Sequence, residues 1–340
     1  ISSLFFLLHD DIAKPILSIL PILLMFFIAS EASERIYQQN IDLVRIVEPA
    51  VIILLVLGLL VVFGYQIECC NYGTSSGRPI FPFGEPSHYA LTFGPLAVGY
   101  AFYSNMAKVL FAALLFVVLG LAISSLTLIV FSMIIFLSSA IRLKRIYLLL
   151  CVPILIFFTL SVILVLIEFS PYFAARLDVR LNYDTTTTLF YLRGFEVAYL
   201  NFIDTYGLGL GFQMLGSKYT VTGEYHDILT DSDRNAVTTD SGFLAAKIIA
   251  EFGFLGVISV IVYIYAVLWA ILRANTIHRV LANMKDIRKH REATKRLFFM
   301  GVVVSLSVEI FLRSYGYFSP GVFLLLVAIL YLIRRRRDPI

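Results

Sequence analysis

Leu148-Leu-Leu-Cys-Val-Pro-Ile-Leu-Ile-Phe-Phe-Thr-Leu-Ser-Val-Ile-Leu-Val-Leu-Ile167 runs for twenty positions without a charged side chain. About twenty apolar helical residues are what a hydrocarbon core about 30 Å thick requires. Within that core only helices and closed barrels satisfy the backbone, and this run lacks the polar alternation of a barrel strand. Phe298 to Val308 and Phe318 to Ile333 read the same way. Composition agrees. Of the 340 residues 59% are apolar and 15% charged, with a mean hydropathy of +0.88, against about 45–50% and 25% in soluble domains. The chain reads as an all-α polytopic membrane protein. Its net charge of +4 is small and does not point to nucleic acid as a partner.

Working outward, spans are expected near 15–30, 49–67, 89–104, 107–122, 124–140, 146–169, 243–272, 297–313 and 317–333, with the run before His9 as a tenth. The short pair 107–122 and 124–140 reads either as two spans or as one longer tilted helix. Basic residues orient the chain. Arg142, Lys144 and Arg145 precede the 146–169 span, a loop at 273–296 is rich in Arg and Lys, and Arg334 to Arg337 follow the last span. Threading places all three clusters on one face, which the positive-inside rule makes cytoplasmic. Residues 1–169 then form N-terminal helices with an outer loop near 68–87. Residues 170–240 form a large outer loop, and 241–340 form C-terminal helices around the basic loop 273–296. Cys69, Cys70 and Cys151 read as free structural residues, since an unpaired cysteine packs as a small hydrophobe.

The outer loop carries the chemistry. Arg176, Arg180, Arg193 and Arg234 stand on the side where positive charge is disfavoured. Taken singly, each is an ordinary surface charge. Together they suit a lipid-linked phosphate or pyrophosphate, because the planar guanidinium fork matches phosphate oxygens. The stretch from Arg193 to Gly211 reads as an amphipathic helix with an apolar face of Val197, Leu200, Phe202 and Ile203. It ends in a turn at Gly207, Gly209 and Gly211. Without a strand–turn–helix context those glycines do not indicate a nucleotide fold; they read as a turn bringing the chain back over the membrane. Glu85 and His88 at the mouth of the 89–104 span are either a helix start or acceptor contacts. Glu251 lies in an apolar stretch, where charge is costly and often functional, unless 243–253 is re-entrant or interfacial. Glu309 and Arg313 sit one helical turn apart, as an ion pair or with Arg313 on a lipid phosphate.

The order is an arginine, a helix, a Gly-x-Gly turn, a polar insert, and the segment Asp240-Ser-Gly-Phe-Leu-Ala-Ala-Lys-Ile-Ile-Ala-Glu251-Phe-Gly-Phe-Leu-Gly256. Upstream stand Phe83-Gly-Glu85-Pro-Ser-His88 and Leu121-Ala-Ile-Ser-Ser125. This order resembles the O-antigen polymerase and O-antigen ligase superfamily, the Wzy and WaaL type, over residues 80–270. Where ligases of that family carry His-Asn before the Glu-x-Gly segment, this chain has Asp240-Ser241, and the family's Ser-Arg-Gly element lacks its Arg. Both departures favour a polymerase.

The resemblance implies a glycosyltransferase with a GT-C-type helical bundle in the bacterial inner membrane, its active site facing the periplasm. It would serve lipopolysaccharide biosynthesis, moving a glycan from undecaprenyl pyrophosphate to the non-reducing end of a new lipid-linked repeat unit. Arg193, with Arg176, Arg180 and Arg234, would bind the pyrophosphate and stabilise the leaving charge. His226, Asp240 and Glu85 are the candidates for the base that takes the acceptor proton, and the choice among them stays open. No metal-ligand spacing appears, so neither a metal nor another cofactor is expected. The implied partners are undecaprenyl-pyrophosphate-linked oligosaccharides, membrane lipids and a chain-length regulator, with no nucleic acid. The alternatives are a ligase acting on lipid A-core and a flippase or transporter of lipid-linked oligosaccharide. A transporter would carry mid-membrane charge and internal repeats.

Overall fold

Among the described residues, helices overlap the expected apolar runs. A computed structural model describes residues 13–38, 42–64, 80–142, 161, 164, 167, 168, 173, 186–217, 219–231, 242–281, 284 and 286–335. The helices are α1 (Ala13–Gln38), α2 (Leu43–Val62), α3 (Pro86–Tyr103), α4 (Met106–Ala122), α5 (Leu126–Ala140) and α6 (Thr186–Asp204). They continue with α7 (Glu224–Asp231), α8 (Leu244–Phe252), α9 (Phe254–Leu281), α10 (Ile287–Ser305), α11 (Ser307–Phe311) and α12 (Pro320–Arg335). Among the described residues the one departure from helix and loop is an isolated bridge between Ile80 and Phe83. Three helices, α1 from Lys14 onward, α2 and α9, are long and apolar enough to cross a membrane. The chain is a helical membrane protein. The 146–169 span is described only at scattered positions, and the N-terminal run and the three cysteines lie outside the described residues.

Two expected spans are broken where hydropathy reads straight through, and the open choice at 107–140 is decided. The 107–140 run is two helices, α4 and α5, folded back along each other. Asn105 caps α4 by accepting from the Lys108 amide at 2.9 Å. The link passes through Ser124 at φ 55°, and the Ser125 amide donates to the Gly120 carbonyl at 2.8 Å. The expected span at 243–272 divides at Gly253, φ 57°, into the short α8 and the long α9. The 297–313 span divides at Leu306. Because α11 ends at Phe311, the helical spacing expected of Glu309 and Arg313 is not kept.

The chain divides into two compact units. One holds 166–265 and 309–318 with the N-terminal end, and the other holds 27–165, 266–308 and 319–340. In the second unit α3 is central, packed by α2, α5, α10 and α12. It crosses α10 where Gly99 meets Gly301. A Cβ on Gly301 would lie 2.8 Å from the Gly99 Cα and 2.9 Å from the Val98 carbonyl oxygen. Small residues permit this backbone approach between apolar helices. Gly301→Val should therefore push the two helices apart at a cost of about 1–3 kcal/mol. The expected result is a lower thermal midpoint in detergent, with Gly301→Ala intermediate; an unchanged midpoint for the valine variant would contradict the crossing.

Polar side chains close the ends of this unit. Arg142 donates to the carbonyls of Ala101 (2.7 Å), Ser138 (2.9 Å) and Ser104. The His278 Nε2 lies 2.7 Å from the Phe102 carbonyl, and Asn275 donates to the Ile141 carbonyl. These bonds satisfy carbonyls that helix termini leave open. Several residues of the basic clusters are also fastened. Lys295 and Arg335 both pair with Glu292, at 3.1 and 2.6 Å, and Arg334 pairs with Glu34 at 3.1 Å.

Candidate functional site

The first unit holds most of what the sequence marks as chemical. Its central element is α6. Side chains four residues apart share a helix face, and here Leu189, Arg193, Val197 and Asn201 form the buried line, with Arg193 1% and Asn201 0% exposed. The expected face of Val197, Leu200, Phe202 and Ile203 is corrected: Val197 is buried, Leu200 and Phe202 are half-buried, and Ile203 is 53% exposed. Asn201 is tolerated inside because its side chain is bonded. The Asn201 side chain donates to the Val221 carbonyl at 3.0 Å and accepts from the Val221 amide at 2.8 Å. That reciprocal pair holds the segment leading into α7.

Glu196 sits at the first turn of α7 and accepts from the Tyr225 amide at 3.4 Å. A carboxylate is favoured at a helix N-terminus. Burial nevertheless pushes its carboxyl above the ordinary glutamate value, against the pull of the surrounding amides. His226 follows in the same turn. Burial first, and then the Arg193 charge, lower its pKa below the ordinary histidine value, with Asp227 opposing. Arg193 and His226, thirty-three positions apart in sequence, thus act on one another in one compact unit. Chemically the unit offers a buried cation and an imidazole whose neutral form is favoured.

A second cluster lies around the glycine turn. Gly207, Gly209 and Gly211 have φ of 79°, 80° and 103°. The turn is laid against the junction of α8 and α9. The Leu210 and Gly211 amides donate to the Ala250 and Glu251 carbonyls at 2.9 and 2.8 Å, and the Phe254 amide donates to the Gly207 carbonyl at 2.8 Å. At Gly209 a Cβ would stand 2.5 Å from the Glu251 carbonyl oxygen, so glycine is required by space as well as by φ. Glu251 is wholly buried beneath it. Its carboxylate accepts from the Gln213 amide (3.0 Å), the Leu215 amide (3.4 Å) and the Tyr317 hydroxyl (2.7 Å). Lys247, one turn earlier on α8, lies 3.5 Å from the Gln213 side-chain oxygen and 5.0 Å from the Tyr317 ring centroid. The carboxylate fixes the loop at 213–215 to α8.

Of the residues singled out in the sequence, Arg193 and His226 lie in the same unit, and the Arg193 charge contributes to the lowered His226 pKa. Glu85 belongs to the other unit, as the residue before α3. It accepts from the Ser87 hydroxyl at 2.9 Å, with the His88 ring at 3.9 Å and Pro86 opening the helix, the pattern of a helix start. The Leu121–Ser125 stretch is the α4–α5 turn. Arg176, Arg180, Arg234 and Asp240 lie outside the described residues. Sequence reasoning missed Asn201, Gln213, Lys247 and Tyr317. The available signal was Lys247 and Glu251, opposite charges at helical spacing inside an apolar run. No family model matches the chain, and neither a curated protein nor a solved structure is similar to it.

Proposed function

We propose that the protein is a membrane glycosyltransferase of the O-antigen polymerase kind, with a GT-C-type helical bundle. It would transfer a glycan from a lipid pyrophosphate to the non-reducing end of a lipid-linked repeat unit, and residues 170–240 would face the periplasm. The observation that supports this reading is the buried Arg193, whose charge, after burial, lowers the pKa of His226. Transfer from a lipid pyrophosphate needs fixed positive charge where the leaving group departs. It also needs a base for the acceptor hydroxyl. Arg193 supplies the first and His226, held neutral, the second. Since Arg193 is buried, the donor must uncover it on arrival.

The test is purified protein with a synthetic undecaprenyl-pyrophosphate repeat unit, followed for polymer. A ladder of products supports the polymerase. Glycan transferred only to added lipid A-core supports the ligase, and movement of the lipid-linked unit across vesicles without new bonds supports a flippase. Arg193→Ala should abolish the ladder at matched protein level. Arg193→Lys should be poor as well, because an ammonium cannot make the forked contact. Wild-type chain lengths from Arg193→Ala would refute the phosphate assignment.

A further inference from the structure

We propose that α6 and the glycine turn form a lipid-facing surface that lies in the boundary zone of the bilayer, where headgroups meet acyl chains. The side of α6 away from the Arg193 line is apolar and uncovered. Phe195, Tyr199 and Ile203, four residues apart, are 53%, 65% and 53% exposed. Tyr206 and Leu208 carry the line into the turn at 90% and 69% exposure. The helix therefore inverts the pattern of a water-facing surface helix, with arginine and asparagine inside and large apolar side chains outside. A monomer in water rarely leaves such a contiguous patch open.

Continuity identifies the occupant as lipid. Gly207 abuts Phe254, where a Cβ would stand 2.2 Å from the ring, and Phe202 packs edge-on to Phe254 at 4.9 Å between centroids. Phe254, 59% exposed, opens α9, a helix long and apolar enough to cross a membrane and left largely uncovered by protein. The surface of α6 and the turn runs into the exposed flank of α9 at Ile258 and Ile261. Two tyrosines on the surface suit a boundary that is apolar at one end and wet at the other. Asp204, exposed beside Ile203, fits the headgroup level and not the hydrocarbon centre.

The experiment uses the full chain with its single tryptophan, Trp269, changed to phenylalanine, one copy per lipid nanodisc. Tryptophan is introduced by Tyr206→Trp, Tyr199→Trp or Leu208→Trp, with Thr222→Trp, exposed in the same unit, as reference. Blue-shifted emission at the first three sites, with most of it lost when the lipids carry brominated chains, is expected, and Thr222→Trp should keep its emission. Tyr206→Trp and Leu208→Trp emission as red and as unquenched as the reference would overturn the proposal. So would blue-shifted emission that bromine leaves intact, which would mean that protein covers the surface. Three separate sites keep the test open if one variant fails to fold.

Discussion

Replacing His226 with alanine is expected to slow polymer formation by about 10²- to 10⁴-fold, the range for loss of a positioned base. The expectation follows from the polymerase reading together with the electrostatics of α7. An imidazole acts as a base only when neutral. Burial and the Arg193 charge both favour the neutral ring, so wild-type activity should stay level through neutral pH. It should fall on the acid side at a pH below the ordinary histidine value of about 6.5. The sign can be checked independently. Removing a positive neighbour raises an imidazole pKa, so the acid limb of whatever activity remains in Arg193→Gln should move to higher pH. Alanine at Asp240 and at Glu85, assayed in parallel, separates the three candidates. If His226→Ala keeps a near-normal rate and an unaltered acid limb, the base lies elsewhere.

Glu251→Ala should be the most damaging single change to the fold of the first unit. It strips the acceptor from the Gln213 and Leu215 amides and the Tyr317 hydroxyl while leaving Lys247 buried among them. Removing one member of a buried charged network costs about 3–5 kcal/mol. Little monodisperse protein should be recovered in detergent at expression levels where wild type is abundant. Glu251→Gln keeps an acceptor oxygen and should be milder. Lys247→Met combined with Glu251→Gln removes both charges together and should recover much of the loss, because the penalty comes largely from the charge left alone. Full recovery of monodisperse Glu251→Ala would show that the carboxylate does not hold the loop.

The sequence made the membrane helices legible because hydropathy alone decides them: α1, α2 and α9 overlap the runs expected at 15–30, 49–67 and 243–272, with their ends displaced by several residues. It was less informative about breaks. The 243–272 run is apolar on both sides of Gly253, and a positive φ there leaves no trace in hydropathy. The adjacent glycine turn was the clue, since two glycine-rich stretches can approach backbone to backbone where other residues cannot. On α6 the apolar residues of the Arg193–Gly211 stretch indicated the wrong face. A rule that puts polar residues outward fails when Asn201 is bonded to the backbone of Val221 and Arg193 is buried in the same line. Val221 is distant in sequence, so no local pattern announces the bond. Glu85 illustrates the reverse: Glu-Pro-Ser reads equally as motif and as helix start, and in the structure Glu85 is the residue before α3, with Pro86 opening the helix.

The stitching of the glycine turn to α8 and α9 has a consequence in time. Loop amides normally exchange their hydrogens with solvent quickly, because a small local opening exposes them. The amides of Leu210 and Gly211 instead donate to carbonyls at the end of α8, and Phe254 at the head of α9 donates back to the turn. None of these bonds can open without unseating a neighbouring helix end. The Leu210 and Gly211 amides are therefore expected to open together with α8 and to exchange at the pace of a helix interior.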